Sequence, residues 1–173
     1  TYIGNEGEEK AQKTYNYNFD GDQIKTVTSF FYTNDALTSS NTNKVLNITS
    51  IIDDVALGAM KSITTYIGNE GEEKAQKTYN YNFDGDQIKT VTSFFYFNDA
   101  LKSSSTNKVL NITGDTALVE LGSMKSITTY IGNEGEEKAE KTYNYNFDGD
   151  QIKTVTSFFY TNDALTSSNT NKV

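Results

Sequence analysis

Polar and aromatic positions alternate along residues 14–19: Thr14, Asn16 and Asn18 fall between Tyr15, Tyr17 and Phe19. A period of two is that of a β-strand with one more apolar face. Asp20-Gly21-Asp22 follows and suits a tight turn, because glycine reaches positive φ freely and aspartate accepts bonds from nearby amides. Ile24 to Tyr32 is then rich in the β-branched and aromatic residues that fit a pleated surface. The pattern predicts four strands per segment: Met60 to Ile67, Glu9 to Phe19, Gln23 to Tyr32 and Leu37 to Ile48. Turn chemistry separates them at Gly4-Asn5-Glu6-Gly7, Asp20-Gly21-Asp22, Thr33-Asn34-Asp35 and Ser50 to Asp54. Connections this short favour antiparallel neighbours in an up-and-down meander. Two stretches compete with that reading, since Asp54 to Lys61 and Ala117 to Leu121 could form short helical turns, each broken by Gly58 or Gly122. Glu6 to Lys13 has helix-compatible composition but no apolar stripe, so it reads as a charged strand or loop.

The whole pattern recurs. TYIGNEGEEKA begins at Thr1, Thr65 and Thr129, which sets a period of 64 residues and divides the chain into copies 1–64, 65–128 and 129–173. The first two copies differ at positions 33, 38, 41 and 59 and in a cluster between 50 and 56; the third departs from the first only where Gln12 becomes Glu140. The boundary strand MKSITTYIG runs across the copy junctions, and the chain starts and stops inside predicted strands. We therefore expect a window onto a longer array, in which each copy buries its terminal strands against its neighbours. The fold class expected is all-β: tandem antiparallel meanders forming an elongated array.

Composition narrows the function. Cys, Pro, Trp and His are absent and all 15 basic residues are lysine. Without cysteine there are no disulfides or thiolate metal sites. The formal charge of −8 disfavours nucleic acid, whose phosphates call for clustered basic residues. No apolar run approaches the roughly 20 residues of a membrane-spanning helix. Catalysis lacks its usual ingredients, a histidine base or a cysteine nucleophile, and Ser and Thr lie in repetitive strand-like contexts. The expectation is a protein that is not an enzyme.

Several motifs carry a sharper reading beside a bland one. Asp20 and Asp22, with their counterparts Asp84, Asp86, Asp148 and Asp150, offer oxygen ligands at alternate positions, as calcium loops do, but Asp-Gly is also a hairpin turn. Calcium is the one cofactor considered; otherwise none is expected. Tyr15, Tyr17, Tyr79, Tyr81, Tyr143 and Tyr145 could stack on sugars or pack against a partner, or else face the inside of the sheet. Phe97 replaces Thr33 of the first copy and extends an apolar run, either filling a gap or marking a sticky edge. Glu6, Glu8 and Glu9 read as a solvated, ion-paired edge. Thr26-x-Thr28 is similar to the rows of ice-binding solenoids, with one such pair per copy. Asn47-Ile48-Thr49 and Asn111-Ile112-Thr113 fit an N-glycosylation signal, and Asp115-Thr116-Ala117 fits a short O-glycosylation signal.

Tyr15-x-Tyr17-Asn18, followed by Gly21 and Ile24-x-x-Val27-Thr28, resembles the tyrosine–aspartate (YD) repeats of Rhs-type shells, and more closely the YD-like meanders of Bacteroidota surface proteins and adhesins. The resemblance covers about 20 residues of each copy; YD repeats usually carry Gly-Arg where this chain has Gly21-Asp22-Gln23. It implies an extracellular or cell-surface β-repeat, not an activity. The function expected is a stalk or fibre segment of a surface adhesin or filament. Its partners would be neighbouring repeats or copies of itself, with surface glycans or proteins as further candidates. The rival readings are a repeated ligand-binding module on Tyr-rich faces and a subunit that self-assembles by strand addition.

Overall fold

The computed structural model describes residues 1–173. Apart from two single 3₁₀ turns, all regular structure in the chain is strand. Two short strands, β1 (Tyr2–Ile3) and β2 (Lys10–Ala11), pair with each other. The first copy continues with β3 (Lys13–Tyr17), β4 (Ile24–Thr33) and β5 (Ala36–Val45), and β6 (Leu57–Ile67) crosses into the second. There β7 (Lys74–Tyr81), β8 (Ile88–Phe97) and β9 (Ala100–Val109) follow, and β10 (Leu121–Ile131) crosses into the third. The last strands are β11 (Lys138–Tyr145), β12 (Ile152–Thr161) and β13 (Ala164–Lys172). From β3 to β13 the order in the sheet is the order in the chain, an eleven-stranded antiparallel meander. The all-β expectation is met, and the reason is local: each connection is too short for anything but a return to the adjacent strand.

Two compact units divide the chain: Thr1–Lys89 with Thr113–Thr116, and Thr90–Ile112 with Ala117–Val173. In the first, β3 and β4 pair Tyr15 with Val27, β4 and β5 pair Val27 with Asn43, and β6 and β7 pair Ile63 with Tyr79. The second repeats this arrangement, with Val91 opposite Asn107, Ile127 opposite Tyr143 and Tyr143 opposite Val155. Strands within each unit touch their ladder neighbours and no second layer. The core is accordingly thin. Ile24, Val27, Ile88 and Val91 are almost fully buried, Tyr79 and Ala100 nearly so.

Polar ladders supply much of the remaining order. Thr28 and Thr42 share a hydroxyl–hydroxyl bond of 2.9 Å across β4 and β5, and Thr64–Thr78, Thr92–Thr106, Thr128–Thr142 and Thr156–Thr170 do likewise. Register is also fixed by irregularities at recurrent places. Between Phe31 and Tyr32 the pairing skips Thr38, whose hydroxyl donates to the Phe31 carbonyl at 3.1 Å. A β-bulge of this kind re-aims the side chains that follow it. The hairpin tip beyond it, Asn34-Asp35, has both residues at positive φ, as a two-residue mirror-image turn requires.

Several boundaries differ from the sequence reading. The strand expected to reach Phe19 ends at Tyr17, and Phe19 is fully exposed, because Asn18 closes the turn with its side chain instead of continuing the ladder. The strand expected to reach Ile48 ends at Val45, leaving Leu46 and Ile48 in an exposed loop. The helical alternative is replaced by single 3₁₀ turns at Ile52–Asp54 and Thr116–Leu118, and Leu57 to Lys61 is strand. The first boundary strand thus starts at Leu57, three residues before the predicted Met60, and the second correspondingly at Leu121.

Candidate functional site: the turn clusters at the copy junctions

Two kinds of junction recur at the ends of the strands. At the first, the loop between β5 and β6 folds back on β3 and β4. Asn47 holds it, donating from Nδ2 to the Asp54 carbonyl at 2.8 Å and accepting the Ala56 amide at 2.9 Å. Asn111 does the same with Leu118 and Glu120. The Ile24 amide donates to the Thr49 carbonyl and the Tyr17 hydroxyl to the Ser50 carbonyl. Ile88 with Thr113, and Tyr81 with Gly114, match them. Ile52, Val55 and Leu57 are thereby set beside Tyr15 and Val27, around a small cleft that Lys13 and Asp53 complete. The residues gripping the loop are the same in both copies and the bonds go to its backbone. That explains why positions 50–56 could diverge. The asparagine side chains read as glycosylation signals are in use as loop ties.

The same end of the sheet carries Lys44. Its ammonium lies 3.4 Å from the centre of the Phe83 ring and donates to the Phe83 carbonyl at 2.7 Å. Lys108 treats Phe147 in the same way, at 3.3 and 2.7 Å. A cation over an aromatic face is attracted by the ring quadrupole.

At the opposite end, Lys10 reaches the Asp35 carboxylate at 2.8 Å and Glu70 of the next copy at 3.0 Å, 5.7 Å from the centre of the Tyr32 ring. The Asp35 hydrogen bond is the main reason the Lys10 ammonium is held above its ordinary value. Lys138 pairs with Asp163 in the third copy, which holds that carboxyl below the usual range. Glu73 is turned back on backbone: Oε1 accepts the Leu37 amide at 3.0 Å and Oε2 the Gly71 amide at 2.9 Å. These bonds, Leu37 first, lower its pKa, and Glu137 with Leu101 and Gly135 repeats the arrangement. A carboxylate that accepts several amides is stabilised in its charged form.

The candidate residues read from sequence fall into these clusters unevenly. At the turns with Asp20, Asp84 and Asp148, the neighbouring asparagine organises the loop: Asn18 Nδ2 donates to Asp22 Oδ1 at 2.7 Å, and Asn82 with Asp86 and Asn146 with Asp150 are equivalent. Asp22, Asp86 and Asp150 thus serve the turn, and no group of three or more acidic side chains converges there. Tyr15 and Tyr143 are half-buried and Tyr79 buried, paired with Ile63. Tyr17 is exposed, while burial pushes the Tyr81 hydroxyl up. Tyr145 is half-buried, and Phe97 is exposed at the hairpin tip opposite Ala100. Of the threonines that resemble an ice-binding row, Thr28 bonds the Thr42 hydroxyl across the ladder and Thr26 accepts from the Asn16 side-chain amide. Sequence reasoning missed Lys44, Glu73 and their counterparts, and read Asn47 and Asn111 as glycosylation signals where the structure uses them as loop ties. The available signal was their identity in both complete copies at turn-flanking positions.

No helix is long and apolar enough to cross a membrane. No family model matches the chain, and the searches of curated proteins and of solved structures find no match either.

Proposed function

We propose that this chain is a load-bearing segment of an extracellular stalk or fibre, without catalytic activity, whose reach grows with the number of copies. One observation carries this reading: each 64-residue boundary lies inside a strand hydrogen-bonded on both sides. Thr64 pairs with Ser40 and Thr78, Thr65 with Ser39 and Lys77, and Thr128 and Thr129 are embedded in the same way. A copy therefore has no clean edge at which to separate from the next. Three contacts support each junction: Ser40–Tyr66, Leu37–Glu73 and Lys44–Phe83, repeated as Ser104–Tyr130, Leu101–Glu137 and Lys108–Phe147. Polar ladder side chains and net negative charge suit a surface that must stay dispersed.

Antibody labelling of intact producing cells tests the reading; surface labelling on projecting material is expected, and labelling confined to the cell interior would refute it. A glycan array with the purified chain separates it from the ligand-binding alternative. Saturable binding lost on Tyr15→Ala or Tyr143→Ala, with the fold intact, would replace the stalk by a binding module.

A further inference from the structure

In both units strand order in the sheet follows chain order, so a pull along the chain runs across the strands. The ladder hydrogen bonds of an antiparallel sheet are perpendicular to its strands. Such a pull lies along those bonds and opens them in sequence, strand by strand, instead of loading all of them together. The argument holds for a copy whatever precedes or follows it, because the chain enters through one boundary strand and leaves through the next.

The boundary strands are held differently from a plain ladder. β6 pairs with β5 from Ser39–Thr65 to Val45–Leu57, and with β7 from Ser62–Asn80 to Ile67–Lys74. In addition, β5 is tied past β6 to the ends of β7. At the Leu57 end of β6, the Lys44 ammonium reaches the turn after β7 and donates to the Phe83 carbonyl at 2.7 Å. At the Ile67 end, the Glu73 carboxylate, just before β7, accepts the Leu37 amide at 3.0 Å. A charged partner makes such bonds roughly twice as strong as neutral ones. β10 is clamped in the same way between β9 and β11, by Lys108 on the Phe147 carbonyl at 2.7 Å and by Glu137 on the Leu101 amide at 3.0 Å. Detaching β5 therefore breaks its ladder to β6 and both ties to β7 at once, and detaching β7 from the other side does the same.

We propose that this segment is a force-extensible element: tension peels its strands in chain order, and the clamps across β6 and β10 arrest the peeling once per copy. Length is then released in quanta of 64 residues, about 220 Å of extended chain at ~3.4 Å per residue. Copies beyond an arrest stay folded while the released one takes up the extension. The inference rests on the stalk reading for its purpose but not for its test. Peeling and arrest are properties of the purified chain, and their failure would leave the surface-labelling result untouched.

The test is single-molecule stretching of the full 173-residue chain in optical tweezers. The chain has no cysteine, so Thr1→Cys with Val173→Cys gives unique attachment points for the handles. Two arrests separated by about 220 Å of released contour are expected, whichever side of the sheet opens first. Lys44→Ala with Glu73→Ala removes the clamp across β6 and is expected to abolish one arrest and keep the other; Lys108→Ala with Glu137→Ala does the reverse. The arrest that remains in each variant shows that the chain is folded. Handles moved to the exposed positions of Thr33→Cys and Asp84→Cys load β5, β6 and β7 along their lengths. The ladder bonds then share the load, and a rupture force at least about twice the end-to-end value is expected. A single rupture of the whole chain, arrests that survive their own double variant, or equal forces in the two attachment geometries would each overturn the proposal.

Discussion

Val27, Val91 and Val155 occupy the same place in three identical stretches, IKTVTSFFY, yet their surroundings differ. Val27 and Val91 are 1% exposed, while Val155 is only half-buried. Substitution by alanine removes two carbons. At about 0.8 kcal/mol per buried methylene, the transfer loss at Val27 or Val91 is about 1.6 kcal/mol. A residual cavity adds to this, but the cleft beside Val27 opens to solvent between Tyr15, Ile52 and Leu57, so the addition is small. The expected loss is therefore about 2 kcal/mol at Val27 and Val91, and about half that at Val155. Local sequence is constant, so the contrast isolates what covers each valine. For a chain of this length the larger loss lowers Tm by roughly 4–8 °C. Urea denaturation of the three single variants, followed by tyrosine fluorescence and circular dichroism together, measures it; coincidence of the two probes checks that one transition is being read. Equal losses at all three positions would refute the reasoning, because burial would then be set within each hairpin and not by the loop that returns over it.

Other substitutions probe the turns and the charged cluster. Gly21 and Gly85 both have φ near +75°, but a Cβ at Gly21 meets nothing, whereas one at Gly85 would lie 2.4 Å from the Met60 amide nitrogen. Gly21→Ala should cost about 1 kcal/mol from backbone strain alone, and Gly85→Ala clearly more; equal costs in denaturant would show that the turn at 84–86 does not seat on β6. The depressed pKa values of Glu73 and Glu137 stabilise the fold above the ordinary carboxylate range, and that contribution is lost as pH falls through their folded values. Melting between pH 7 and pH 3 should thus be flatter in Glu73→Gln/Glu137→Gln than in the parent chain, and parallel curves would count against this assignment. Phe97→Thr, which restores the residue of the first copy at an exposed tip, should leave Tm unchanged while reducing self-association measured by light scattering.

How much of this was written in the sequence depends on the range of the interaction. Hairpins were legible because their determinants are local: alternation around Tyr15 and Tyr17, and Asp-Gly or Asn-Asp at tips that need positive φ. The ends of the strands were not. Phe19 continues the apolar alternation, and only the Asn18 side chain, accepting the Asp22 and Gln23 amides, takes it out of the ladder. Asn47 followed by Ile48 and Thr49 fits a modification signal as well as a loop tie, and the three-residue pattern cannot choose between them. Lys44 over Phe83 and Glu73 beneath Leu37 join residues 39 and 36 positions apart, and no periodicity reports such pairs. Tyr15 and Tyr17, read together as one aromatic face, diverge in the structure: one borders the buried valine, the other is exposed and holds a loop carbonyl.

The positions at which the copies differ give the converse argument. Thr38 sits in a bulge and bonds the Phe31 carbonyl; its replacement, Lys102, reaches instead to the Gly132 carbonyl at 3.0 Å, so each residue finds a main-chain acceptor. Ala59 becomes Ser123, whose hydroxyl meets the Phe147 carbonyl. Thr33 and Phe97 share an exposed tip, and the divergent loop between 50 and 56 is held through its backbone. At these positions substitution has occurred where a neighbour supplies a backbone atom or solvent; Glu140, in place of Gln12, instead accepts from the Thr129 hydroxyl, and the change of Asn41 to Ser105 has no structural explanation. Substitution is absent at Ser40, Lys44, Tyr66 and Glu73 and at their second-junction counterparts Ser104, Lys108, Tyr130 and Glu137, where side chains link one copy to the next. A change at Ser40 or Tyr66 would have to be matched in the adjoining copy to keep the contact, whereas Glu73 and Lys44 reach main-chain atoms of the adjoining copy. Near-identity between copies is then a condition for joining them in any number, because every tail must fit every head.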